Sequence, residues 1–113
     1  MVVTKKREFI EHNEFLTDLY PVHPGMVLNM DILPARDVTG AALAKAIGAT
    51  QPSVAKVLNG NGPITPRLAA RIEAATGYPA DLLCRMQTLF DLAKVKREDE
   101  NRLHSIPRLA AFA

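Results

Sequence analysis

Residues 39–60, TGAALAKAIGATQPSVAKVLNG, decide the fold of this chain. Leu43, Ala44 and Ile47 fall at the i, i+1, i+4 spacing of one buried helical stripe, with Lys45 directed away from it. Gly48 stops that helix, since glycine accepts the left-handed turn with which helices commonly end. Thr50 then offers a hydroxyl to cap a second helix, and Pro52 falls in its first turn, where a missing N–H costs nothing. At about 100° per residue, Val54, Val57 and Leu58 form the inward arc of this second helix. Gln51, Pro52, Ala55, Lys56 and Asn59 share the opposite arc, which has no acidic residue. Two short helices braced at a glycine turn, the second with a neutral and basic outer face, have the geometry of a helix held in the major groove of DNA.

The charge distribution around this stretch agrees with that geometry. Residues 38–72 contain Lys45, Lys56, Arg67 and Arg71 and no Asp or Glu, although the whole chain carries a net charge of only +2. Residues 1–37 hold six acids against four bases. A phosphate backbone is therefore welcome at the centre of the chain and less so at its start. With 113 residues, 48% of them apolar, the chain has the size of one modest domain. Its single cysteine, Cys84, excludes an internal disulfide framework, and three scattered histidines give no metal-ligand spacing. No metal, cofactor or small-molecule ligand is expected. No apolar run approaches the roughly 18 residues of a membrane span, and the start, MVVTKKREF, is charged where a signal peptide would be apolar. The expectation is a cytoplasmic protein with no membrane contact.

Outward from the central pair, the pattern predicts an all-α protein. Thr4 caps an extra N-terminal helix from about Lys5 to Tyr20, so residues 1–22 form a helical arm. His23-Pro24-Gly25 opens the next helix, with Val27, Leu28, Ile32 and Leu33 turned inward and Pro34 closing it. Asn59-Gly60-Asn61-Gly62-Pro63 is a loop by composition. Thr65-Pro66 starts another helix by the same cap-then-proline logic, with Leu68, Ala69, Ile72 and Ala75 buried and Gly77 as its end. The last helix runs from about Ala80 past Lys96. Its apolar positions Leu82, Leu83, Met86, Leu89 and Phe90, with Ala93, make a face wider than one small bundle needs, and these five are the expected dimerisation surface. The expected domain thus spans residues 23–97, and residues 98–113 form a charged, flexible tail.

The ordered set His23-Pro24-Gly25, Leu43-Ala44 with Gly48, Val54, Leu58-Asn59-Gly60, Ile64-Thr65-Pro66, Gly77, and Gln87 with Asp91-Leu92 resembles the HigA-type antitoxins. These form a branch of the lambda-repressor-like, or XRE, helix–turn–helix family. The resemblance covers residues 23–92. It implies a five-helix bundle and a homodimer that neutralises a small, basic messenger-RNA endonuclease of the HigB/RelE type and represses its own operon. The alternative function is a free-standing XRE-family repressor without a toxin. By the same resemblance Gln51, with Thr50, Pro52 and Ser53 around it, reads bases of double-stranded operator DNA. Lys56 touches a base or a phosphate, Ser53, Asn59 and Asn61 touch phosphates, and Lys45 adds positive charge nearby. Gly40 stands where many members carry a Gln that grips a phosphate, and Pro52 replaces a polar residue on the reading face.

Glu8, Glu11, Phe15 and Asp18 lie on the arm and are the candidate contacts to a cationic toxin, since a nuclease that holds RNA presents a surface an acidic helix can occupy. No catalytic residue is expected. His23 before Pro-Gly reads as a capping or packing residue, and Cys84 as a small core hydrophobe. Gly60-Asn61-Gly62 lacks the Lys and Ser/Thr of a phosphate loop.

Overall fold

A computed structural model describes residues 21–113. The N-terminal helix expected over residues 5–20 lies outside the described residues. Helix α1, Pro24–Val27, runs on through a π turn, Leu28–Ile32, and ends in a 3-10 turn, Pro34–Arg36. Four helices follow: α2, Gly40–Ile47; α3, Gln51–Leu58; α4, Pro66–Thr76; and α5, Ala80–Glu98. The short α6, Glu100–His104, and a 3-10 turn, Ala110–Phe112, complete the chain. There is no strand among the described residues.

Each helix of the central unit starts on a side chain that satisfies an otherwise unpaired N–H. Thr39 Oγ1 accepts from the Ala42 N–H at 3.0 Å, Thr50 Oγ1 from Ser53 at 3.2 Å, and Thr65 Oγ1 from Leu68 at 3.2 Å. Gly48 (φ 71°) and Gly77 (φ 80°) end α2 and α4 in the left-handed conformation. Such a conformation costs an L-residue about 1 to 2 kcal/mol. Asp37 (φ 55°) ends the first helical segment in the same way.

The π turn is the departure from the expected regular helix. The Leu33 N–H donates to the Leu28 carbonyl, five residues back, at 2.9 Å. This wider turn brings both leucines to the same side. Leu28 is 0% and Leu33 3% exposed, whereas Val27 and Ile32, expected beside them, are half-buried.

The core sits between these elements. Helix α2 packs on α3 and α4, α4 on α5, and α1 on α3 and α5. Leu43, Ala44 and Ile47 from α2 meet Val54, Val57 and Leu58 from α3 in one cluster with Leu28, Ile64, Ala69, Ile72 and Leu83. Two packing expectations need correction. Ala75 is exposed, because α4 turns only Ala69 and Ile72 fully inward. Leu83 is 0% exposed in the chain's own core and is not available as dimerisation surface. The segment expected as a flexible tail also carries α6, although its side chains from residue 100 onward are exposed.

Candidate nucleic-acid interface

All eight residues expected at DNA, Lys45, Thr50, Gln51, Pro52, Ser53, Lys56, Asn59 and Asn61, are exposed. The core side of α3, in contrast, is filled by Val54, Val57 and Leu58. Sequence and fold thus agree on which face of α3 is free.

Thr50 and Ser53 have a local duty. The Thr50 hydroxyl donates to Ser53 Oγ at 2.9 Å, and the Ser53 hydroxyl donates to the Thr50 carbonyl at 2.9 Å. Both hydroxyl protons are spent on the start of α3, so these two side chains hold the helix in shape and leave donation to their neighbours. Lys56 is placed differently. Its stem lies along Gly62, where a Cβ would stand 3.4 Å from Lys56 Cγ and 3.6 Å from Cε. The Asn61 N–H donates to the Lys56 carbonyl at 2.9 Å, folding the loop back onto the helix. The stem of Lys56 is therefore supported by the loop that carries Asn61 and Gly62.

On the other flank of α3 lies an open groove of about 420 Å³. Gly40, Ala41 and Ala55 line it, next to Pro52 and Leu58, and Asn29, Gln51 and Asn59 complete the lining. A Cβ at Gly40 would stand 3.0 Å from Leu58 Cδ1, so the start of α2 approaches the end of α3 closely where a side chain is missing. Asn29 was not among the sequence candidates. It belongs to the π turn of α1, outside the helix–turn–helix, and no linear pattern connects it with residues 40–59.

The sequence marks flanking the helix–turn–helix prove to be contacts between one another. Gly25 lies directly against the Val57 carbonyl, and Gly60 (φ 79°) leaves room for Met26, whose Sδ would be 3.2 Å from a Cβ there. His23 is 3% exposed. Its Nδ1 accepts from the Gly25 N–H at 2.9 Å, and its ring meets Phe90 edge-on with centroids 5.0 Å apart. HPG and LNG thus face each other across α1 and α3, as the capping and packing reading of His23 requires. The buried Gln87 accepts from the Ile64 N–H at 2.8 Å and donates to Asp91 Oδ1 at 3.0 Å, so the loop before ITP is tied to α5.

Of the expected dimerisation residues, Leu82 and Leu89 are exposed and Met86 and Phe90 half-buried. Phe90 is partly engaged by His23. Cys84 is half-buried against the core. Glu8, Glu11, Phe15 and Asp18 lie outside the described residues. Among the described residues there is no group of three or more His, Cys, Asp or Glu placed to hold a metal, and no helix is long and apolar enough to cross a membrane.

No protein-family model and no curated protein sequence matches the chain. Solved structures do. Pseudomonas aeruginosa antitoxin HigA, determined with the higBA promoter, superposes with a TM-score of 0.74 at 27% identity, over 79% of this chain and 98% of that one. Antitoxin GraA gives 0.73 at 28% identity, over 79% and 97%. A further Pseudomonas aeruginosa structure, of PA4674 in complex with 28 bp of its operator DNA, gives 0.74 at 27% identity, over 79% and 99%. These neighbours are DNA-binding regulators and antitoxins, not enzymes. By its fold, by the contacts that join its sequence marks and by these neighbours, the chain carries the helix–turn–helix fold of the HigA-type antitoxins.

Proposed function

We propose that this chain is an antitoxin that, as a homodimer, neutralises a small basic HigB-type messenger-RNA endonuclease and represses its own operon by inserting α3 into the major groove of the operator. The observation that carries the DNA half is the exposed face of α3, with Gln51 and Lys56 outward, in a stretch without an acidic residue. The neighbours that carry the same fold were determined on their own promoter and operator DNA. Two α3 helices related by a dimer axis would sit about 34 Å apart and read half-sites one duplex turn apart. Leu82, Met86 and Leu89 offer an apolar stripe for that axis.

Gel-shift titrations against the DNA upstream of this reading frame test the assignment of α3. Gln51→Ala should lose about tenfold in the ratio of operator to unrelated-duplex affinity, because a bidentate base contact is worth about 1 to 3 kcal/mol. Lys56→Ala should weaken both duplexes alike, with the salt slope of binding reduced by about 1. If both variants bind like the parent at equal salt, α3 is not the reading element.

The toxin half is tested by growth. If a neighbouring reading frame encodes a small basic toxin, co-expression should relieve the arrest that it causes, and the two should co-purify. An arrest that persists while operator binding is intact would mark a free-standing repressor.

A further inference from the structure

Helix α3 has two flanks, and the candidates read from sequence serve them unequally. Around the helix, Val54, Val57 and Leu58 point to the core, and at about 100° per residue Ser53 and Lys56 lie toward one flank and Gln51, Ala55 and Asn59 toward the other. On the Lys56 flank a cation and the Asn61 loop stand ready for a phosphate strand. The opposite flank is the groove of about 420 Å³, without a cation on its lining. A helix inserted in a major groove is bordered by a sugar-phosphate strand on each side, so the second strand has to pass along this groove.

We infer that Asn29 is a DNA-backbone contact: its carboxamide donates to a phosphate of the strand that runs over Gly40 and Ala41 on the α2 flank of the recognition helix. The groove is open there because Gly40 contributes no side chain, and its small lining at Gly40, Ala41 and Ala55 suits the apolar face of a deoxyribose. Asn29 is exposed and lines the same groove as Gln51 and Asn59. The π turn is what places it. With Leu28 and Leu33 both committed to the core, the intervening Asn29 and Met30 are pushed outward. Asp31, two positions on, does not line the groove. Hydrogen bonds to phosphate position a protein on the duplex and carry no base information. Asn29 is thus a positioning residue, and the inference rests on the operator-binding reading above.

Gel shifts with two duplexes, the DNA upstream of this reading frame and an unrelated duplex of equal length, test it on the full chain. Asn29→Ala should weaken binding to both by about five- to tenfold with the same salt slope, since a neutral donor is lost. Asn29→Lys should restore affinity and steepen the salt slope by about 1. Thermal melting of both variants should match the parent, because the residue is exposed. Parent-like binding by Asn29→Ala, or a loss confined to the upstream duplex, would overturn the backbone role. In those cases Lys56→Ala still weakens binding and the operator reading stands. If the parent binds neither duplex, the operator reading fails and the inference with it.

Discussion

Replacing Gly25 with alanine is expected to destabilise the chain by about 3 kcal/mol, a fall of roughly 15 °C in melting temperature. A Cβ at this position would overlap the Val57 carbonyl oxygen and stand 2.8 Å from the carbonyl carbon. A flexible side chain could swing aside, but a backbone carbonyl inside a helix cannot. The same carbonyl accepts from the Gly60 N–H at 3.0 Å, so displacing it also loosens the turn that leaves α3. Gly62→Ala is the matched control. Its Cβ would meet only the Lys56 stem at ordinary contact distance, with Cγ at 3.4 Å, so it should change stability by less than about 0.5 kcal/mol. Thermal unfolding followed by circular dichroism reads both variants. A Gly25→Ala protein melting within two or three degrees of the parent would show that α1 does not rest on α3 in this manner.

Gln87→Ala should cost about 2 to 3 kcal/mol in urea unfolding. Gln87 is 7% exposed, and its removal leaves the N–H of Ile64, itself 2% exposed, without an acceptor in a region closed to water. The second bond gives a sharper test. In Gln87→Glu the carboxylate can still accept from Ile64, but it can no longer donate to Asp91 and instead faces a like charge. Combining it with Asp91→Asn restores a donor and should recover most of the loss. Hydrogen exchange at the Ile64 amide should quicken in Gln87→Ala and stay slow in the paired variant. Additive effects of the two substitutions would mean that they do not share a bond.

What could be read directly from sequence was local. Thr50 and Thr65 each precede a helix that they cap, and Gly48 and Gly77 end helices in the backbone conformation that glycine tolerates best. The inward arcs of α2 and α3 followed from periodicity because both helices are short and regular. The inward places of Leu28 and Leu33 were also expected, but the change of pitch that produces them was not. Leu28 and Leu33 are five apart, a spacing that a regular α-helix sends to different sides, and only the π turn reunites them. Periodicity could not divide the wide apolar face of α5, where Leu83 enters the core and its neighbour Leu82 stays outside.

The candidate interface shows the same division. Gln51, Lys56 and Asn59 were legible as exposed positions because they face away from the inward arc of one helix. Asn29 was not, since its place beside Gly40 depends on how α1 packs across α3. The roles of Thr50 and Ser53 were legible only in part. A hydroxyl at a helix start can face either its own backbone or a ligand, and here the protons of both hydroxyls are turned inward.

The bare meeting of Gly25 with the Val57 carbonyl has a mechanical consequence. Side chains between two helices act as a cushion that can be compressed, re-rotated or swapped, whereas here α1 bears on the main chain of α3 itself. A load placed on α1 reaches α3 without slack. Helices α1 and α3 therefore move as one lever, and whatever grips the first also tilts the second.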